Sequence, residues 1–583
     1  MKTHFVSRCL APLLICGAAQ AANHNWNGLG ASDNWSSVTN WSSNGAPYAN
    51  ESGPITLVFP SGVSRPQNIC NIAGLTVEAI ILNGSSYKLT GSTPINLTGA
   101  GNSLYSAGIN NFISIPLVLN SAKLNFGQGT NAGLRVYSVI SGSGGFKKIG
   151  RGDLYLEGAN DNTFTGTTTV LGGILHLAKQ SSRACFSGPL VIGDTAGSSV
   201  GGGVDSTVRM EGEQQMPFST PVTVNPDGVF DMGSHSAAIG SLTLIGNGEV
   251  ESSGVSATLT VFGNVTSANL VDPNGYAVAS VRPHLSLGGA TRTFTTDSYL
   301  SFYGNISSGG GNAGIIKNGA KTLHFDGNNT YTGDTIINEG RFSIYGTSPS
   351  SDIYMKAGTQ IISAATVGAV ACIASAFEPV IYINSGVPPV NMTTKNLSLD
   401  KASTFVAFID GAMVGTQSLL TVLGTVNLGG CELKGELEVT ATYNPAIGTK
   451  FILVNNNLAD PIAGTFNDLP EGSSFKFCGR RWTITYKGGD GNDVVLTLNS
   501  GQLPLSLDKI ALGSGGNWTI LTGNGTPGDF TYRMQSSPDL KVWTDEGSIG
   551  NSNGNLTAFV NDFPSHTKYF YRFLKPATGP VPN

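Results

Sequence analysis

Residues 310–346 read GGNAGIIKNGAKTLHFDGNNTYTGDTIINEGRFSIYG, and residues 142–179 read GSGGFKKIGRGDLYLEGANDNTFTGTTTVLGGILHLAK. The two stretches superpose. Lys148 falls on Lys317, Gly150 on Gly319, Leu154 on Leu323, Leu156 on Phe325 and Gly158 on Gly327. After a slip of two residues, Thr163-Phe164-Thr165-Gly166 falls on Thr330-Tyr331-Thr332-Gly333, and Gly173, Leu175 and Leu177 meet Gly340, Phe342 and Ile344. Each copy reads as two short alternating strands joined by an Asn/Gly turn, and each strand has one apolar face. A unit of this kind must stack on neighbours to bury that face, which is the logic of a solenoid.

The chain has 583 residues with 12% charged and 40% hydrophobic residues, 78 glycines and a formal net charge of −5. Low charge argues against charge-driven disorder, and short Val/Ile/Leu/Thr runs punctuated by Gly and Asn favour all-β structure. The weakly acidic balance gives nucleic acid no electrostatic footing as a partner. Met1–Arg8 is basic, Cys9–Gly17 is largely apolar, and Ala19-Gln20-Ala21 is a small-x-small site, so residues 1–21 read as a cleaved signal peptide. That apolar run is too short to span a bilayer, so the mature chain is expected not to be an integral membrane protein. Beyond the leader, Cys70, Cys185, Cys372, Cys431 and Cys478 show no C-x-x-C spacing. Export permits disulfides, with Cys431–Cys478 the first pair to consider; single buried thiols are the other reading.

Read outward from the two copies, 22–54 is a Trp-rich N-terminal cap and 55–396 is a solenoid carrying the recognisable repeats at 142–179 and 309–346. Residues 397–500 are expected to be closing solenoid rungs, and 501–578 a small β-sandwich-like domain before the tail 579–583. The expected fold is all-β: a long parallel β-helix or β-solenoid, at roughly 20–25 residues per turn, followed by that small domain. Val367–Ala376 is small and apolar, readable as a short buried strand or a turn of helix.

The pattern G-x-L-x-L/F-x-G-x-N-T-Y/F-T-G resembles the autotransporter-associated β-strand repeat, also called the passenger-associated transport repeat. Its repeat-defining positions here are Gly150, Gly158, Gly166, Gly319, Gly327, Tyr331 and Gly333. The resemblance implies a secreted or cell-surface β-helix. It also implies passage through an outer-membrane barrel, for which the residues after Leu505 offer no long series of ten-residue alternating strands.

Three features could carry chemistry. Trp26, Trp35 and Trp41 could form a sugar-stacking face or close the open end of the solenoid. Gly488-Gly489-Asp490-Gly491-Asn492-Asp493-Val494-Val495-Leu496 fits the calcium-binding nonapeptide of β-rolls, with Asp490 and Asp493 as ligands. A single copy supplies too few oxygens alone, so a Gly-rich turn is the competing reading. Arg151-Gly152-Asp153 spells an integrin tripeptide in a turn. Glycoside hydrolysis needs two carboxylates about 5–9.5 Å apart. The visible acids, such as Glu157, Asp231, Glu249, Glu251, Asp326 and Glu339, read instead as isolated, solvated outward positions. His176 and His324 alternate with apolar neighbours and should also point outward. No metalloprotease, nucleophile-elbow or phosphate-loop motif is present, and no cofactor is expected. The resulting expectation is a non-enzymatic secreted or surface scaffold that adheres to polysaccharide or other cell-surface material; the alternative is a carbohydrate-binding or polysaccharide-degrading β-helix.

Overall fold

The computed structural model describes residues 22–42, 44–99, 101–180, 182–195, 206–269, 277–381, 390–408, 420–436, 445–457, 459–477, 480–500, 506–512, 519–524, 531–552, 555–560 and 570–574. The leader at 1–21, Cys478 and the tail 579–583 lie outside them. The chain divides into two compact units, one made of Met1–Gly240 with Glu249–Ala257, the other of Ser241–Gly248 with Thr258–Asn583. Among the described residues the only helical element is one 3₁₀ turn, Val38–Asn40. Among the described residues no helix is long and apolar enough to cross a membrane.

Both units are built the same way. Short strands pair in parallel with the equivalent strand one turn later, making sheet faces along the coil. In the first unit Phe146–Ile149 pairs with Thr168–Val170 on one face, with Phe146 opposite Thr168. Asp153–Gly158 pairs with Gly173–Lys179 on the next, with Leu154 opposite Leu175. A third, shorter face runs through Thr76–Val77, Ile95–Leu97, Leu117–Leu119 and Ile140–Ser141. In the second unit Ile315 lies opposite Thr335 and Leu323 opposite Phe342. Each repeat window therefore contributes four strands to two successive turns, where the sequence pattern suggested two. Val370–Cys372 is a strand opposite Ile353–Met355.

Period-two alternation explains the core. Ile55–Phe59, Leu242–Ile245 and Thr258–Val261 all bury alternate residues, as expected when one side of each strand faces the interior of the coil. Inside the first unit Phe126, Phe146 and Phe164 stack across successive turns, with the first two rings parallel at 4.4 Å. Full burial of one such ring stabilises by roughly 1.5–3 kcal/mol, and repeating it every turn compensates for the meagre core of any one coil.

The expectation of solenoid rungs across 397–500 is only partly matched. Parallel pairing continues to Glu432–Glu436, where Thr404 lies opposite Glu432. Lys450–Asn456 still runs parallel to Leu420–Val422 but antiparallel to Asp493–Ser500, which in turn pairs antiparallel with Arg480–Gly488. Long consecutive strands joined by the tight Gly488–Gly491 turn can fold back on each other, which the shorter strands of the coil do not do. Beyond residue 505 the strands form a six-stranded sheet whose pairings are all antiparallel.

Candidate functional site

The repeat motif itself is turned inward. Lys148 and Lys317 share their strand's core side with Phe146 and Ile315, and both are fully buried. Lys148 Nζ donates to the carbonyls of Gly150 (2.9 Å) and Gly172 (2.7 Å). Lys317 Nζ donates to Gly319 O, Glu339 O and the Thr296 hydroxyl at 2.7–2.8 Å. Burial pulls both ammonium groups down from 10.5 to about 8. Gly150 and Gly319 follow at φ of +81° and +83°, a left-handed corner that other residues resist. At Gly166 and Gly333 a Cβ would lie 2.3 and 2.5 Å from the backbone of Gly144 and Ala313 in the preceding turn. Gly158 and Gly327 are held as close, each 2.3 Å by the same measure from a carbonyl oxygen of the turn before. Asn162 Oδ1 accepts from Ile140 N–H and its Nδ2 donates to Cys185 O; Asn329 Oδ1 accepts likewise from Ile306 N–H. Tyr331 is buried, its hydroxyl 2.7 Å from Thr335 Oγ1.

Trp26, Trp35 and Trp41 are buried too, which corrects their assignment as a sugar-stacking face. The rings pack edge to face on one another at 5.2 and 5.9 Å and enclose Phe59. Their indole N–H groups are taken by Arg65 O, Asn68 Oδ1 and Trp35 O. An indole whose faces and N–H are all engaged inside the protein has nothing left to offer a pyranose.

The chemistry lies on the outer side of the strands. In the first unit the cross-strand register aligns Phe112, Arg135, Tyr155, His176, Arg209 and Asp231 in one column. The Arg135 guanidinium sits 4.0 Å over the Tyr155 ring, and Tyr155 stacks flat on His176 at 4.0 Å. His176 Nδ1 lies 2.7 Å from Glu211, Arg209 Nε donates to Asp231 at 2.8 Å, and Arg135 pairs with Glu157. Most ring faces and charges of this ladder are spent on neighbours, while Tyr137, stacked on Phe112, stays 44% exposed. His176 leaves its strand outward yet is only 6% exposed, and Glu157 is buried beneath Arg135. These acids are thus ion-paired, not simply solvated. The Arg151-Gly152-Asp153 turn is tied in as well: a Cβ on Gly152 would lie 2.3 Å from Ala132 O, and Asp153 is 3.8 Å from His176.

The second unit carries an open counterpart. His324 is 7% exposed, with Nδ1 3.1 Å from Ser343 Oγ and Nε2 2.9 Å from Asp326. Serines 301 and 343 flank it in the register. Tyr345 meets the imidazole edge-on at 4.6 Å and Tyr299 tilts toward it at 6.0 Å. Tyr303 lies under the Arg282 guanidinium at 5.2 Å. Tyr303 and Tyr345 remain 43% and 47% exposed. Arg341 donates to Gln360, which donates to Glu378, extending the polar rim. The pattern Ser-Phe-Tyr, Leu-His-Phe-Asp, Ser-Ile-Tyr on three successive strands was the available signal, but it needs the register to become a platform.

Asp490 and Asp493 separate in role. Asp490 is exposed at the turn, whereas Asp493 is buried and accepts from the Asn456 N–H at 3.0 Å. Cys70, Cys185, Cys372 and Cys431 are buried free thiols, so the pairing of Cys431 is not seen; burial pushes the last three up to about 12.

Comparison with known proteins agrees with the repeat geometry. A family model described as the passenger-associated-transport-repeat matches residues 146–177 and 315–344. Over an alignment of 271 residues, covering 44% of this chain and 7% of the relative, the chain is 24% identical to the adhesin BmaC autotransporter of Brucella suis biovar 1 (strain 1330). The crystal structure of the Haemophilus influenzae Hap adhesin covers 79% of this chain and 65% of its own, at 11% identity and a TM-score of 0.28, and carries no weight at that score. The described residues are thus almost entirely β, with a parallel coil in which two stretches match the passenger-associated-transport-repeat model.

Proposed function

We propose that the protein is an exported, non-enzymatic scaffold that adheres to cell-surface material through the outer faces of its solenoid. The observation that carries this reading is the platform around His324, where the half-exposed rings of Tyr303 and Tyr345, with Tyr299 set deeper, are fixed on a parallel sheet with hydrogen-bonding partners at the rim. That the Brucella relative is an adhesin and an autotransporter supports both adhesion and export. Glu157 and Asp231 on the outer face of the first unit support a non-catalytic role, since each is held by an arginine. A general acid–base pair needs carboxylates free to exchange protons with substrate.

The same platform favours polysaccharide as the material bound. Tyrosine faces stack on pyranose rings, and Asp326, Arg341 and Gln360 supply donors and acceptors for hydroxyls. In a pull-down on surface polysaccharide and on whole cells, Tyr303→Ala with Tyr345→Ala is expected to weaken retention about tenfold, at ~0.7 kcal/mol per ring. The melting temperature should change little, because both rings are half outside the fold. Undiminished retention by the double variant would sink the platform as the contact surface.

A further inference from the structure

Around the turn at 488–493 there is a cluster of oxygens that the adhesive reading does not use. Lys450–Asn456 ends at a fully buried asparagine. The Asn456 N–H donates to Asp493 Oδ1 at 3.0 Å, and its Nδ2 donates to the backbone carbonyl of Asp460 at 2.8 Å. Asn492 Nδ2 donates to that same carbonyl at 3.0 Å. Asn456 therefore sits between two aspartates. Its Oδ1 and the Oδ1 of Asp460 are both buried without a hydrogen-bond partner. Turning the Asn456 amide over would set its oxygen against the Asp460 carbonyl, so the orphaned acceptor is a consequence of the fold. The turn is shaped to bring Asp493 in. Gly489 has φ +57°, and a Cβ there would lie 1.8 Å from Asp493 Oδ2, so the carboxylate folds back over its own turn.

Asn456 Oδ1 and Asp460 Oδ1 are buried with no donor, and the Asp493 carboxylate has the Asn456 N–H as its partner, so acceptors outnumber donors here and call for a cation. The set is entirely oxygen, from carboxylates and side-chain amides, which is the donor set of a hard divalent ion of calcium size and not of zinc or copper. We propose that Asn456, Asp460 and Asp493 form a calcium-binding site joining the end of strand Lys450–Asn456 to the turn at 488–493, with Asn492 beside them and waters completing the shell. The nonapeptide in the sequence points to this turn, with Asp490 and Asp493 as its acids. Asp490 faces solvent, and the oxygens a single nonapeptide lacks come from residues 456–460 of the neighbouring segment and not from a second nonapeptide. Bound there, the ion would tie the antiparallel sheet that follows the coil to the strand leading into it. The site is independent of the Tyr/His platform.

The test uses the full chain, stripped with a chelator and returned to buffer of constant ionic strength. Calorimetric titration with calcium should show saturable heat, and calcium should raise the melting temperature by several degrees. Asp460→Asn, which keeps the shape and removes one charge, should weaken binding at least tenfold, while Asp490→Asn should change it less than threefold. Absence of heat and of a thermal shift in the wild type overturns the site. So does an equal calcium response from wild type and Asp460→Asn, which would mean general screening. A magnesium response equal to that of calcium overturns the assignment to calcium, since the smaller ion demands a tighter octahedron.

Discussion

The two repeats share an inside and differ on the outside. At 146–177 and 315–344 the buried lysine, the left-handed corner glycine, the closely packed second glycine and an asparagine that accepts from the turn before recur at matching places, though only Asn162 also donates to the turn after. Across the sheet from these, Tyr155 and His176 consume each other's faces under Arg135, whereas the rings of Tyr303 and Tyr345 stand half open beside His324. The motif is thus a specification for corners and core. It leaves the outward residues free to become an ion-paired ladder in one copy and a receptive platform in the other.

The strongest way to break this comparison is through the lysines. Lys317→Ala leaves a cavity and strips the buried Thr296 hydroxyl and the Gly319 and Glu339 carbonyls of their donor, for an expected loss of roughly 3–5 kcal/mol. Lys148→Ala, with fewer acceptors to strand, should cost about 1 kcal/mol less in urea unfolding. Equal losses would show that the two interiors are equivalent after all.

The same lysines make stability depend on pH. Their folded pKa values of about 8 lie below the 10.5 of a free lysine. Between those values the unfolded chain binds more protons, so this contribution to stability rises as pH increases from 8, by up to ~3 kcal/mol per lysine, and it is flat below pH 8. Buried thiols act in the opposite sense: with folded values about 12, Cys185, Cys372 and Cys431 lose stability as pH rises above 9. The clean readout is therefore the wild type against Lys148→Met with Lys317→Met. The double variant should lack the upward component of unfolding free energy between pH 8 and 9.5; parallel pH profiles would remove the lysines as its source.

A smaller difference sharpens the comparison. Tyr331 gives its hydroxyl to Thr335, which also reaches Ser351, while Phe164 leaves the equivalent Thr168 hydroxyl buried without a partner. Tyr331→Phe should destabilise by about 1–1.5 kcal/mol, and Phe164→Tyr should recover up to about 1 kcal/mol by supplying the missing contact. Thermal unfolding of the pair checks both signs. If Phe164→Tyr destabilises, the first repeat lacks room for the oxygen and the two interiors differ in volume as well as in bonding.

How much of this was legible follows from what each residue answers to. The glycines, Asn162 and Asn329 answer to the backbone of the adjacent turn, so their joint recurrence identified a stacked coil. Lys148 and Lys317 were also readable in principle, because period two puts them on the side of Phe146 and Ile315, although a lysine among core residues invites the opposite reading. The Trp spacing contained no sign of inside or outside; the pairing of Trp26 with Trp41 and their closure over Phe59 decided that. The outer columns were hidden because register depends on the length of each intervening loop. Gly173 meets Ser206 while Ile353 meets Val370, and that unequal spacing cannot be read from local alternation. The cation cluster joins residues more than thirty positions apart, so only its Gly-rich half was visible.

The asparagine interlock has a mechanical meaning. Asn162 accepts from Ile140 in the preceding turn and donates to Cys185 in the following one. Pulled from its end, a plain stack would unravel one coil at a time, each releasing about 70–80 Å of chain for some 22 residues. A residue that grips both neighbours makes the tear pass through three coils together. Such a link turns a zipper into a ratchet, giving way in fewer, larger steps under load.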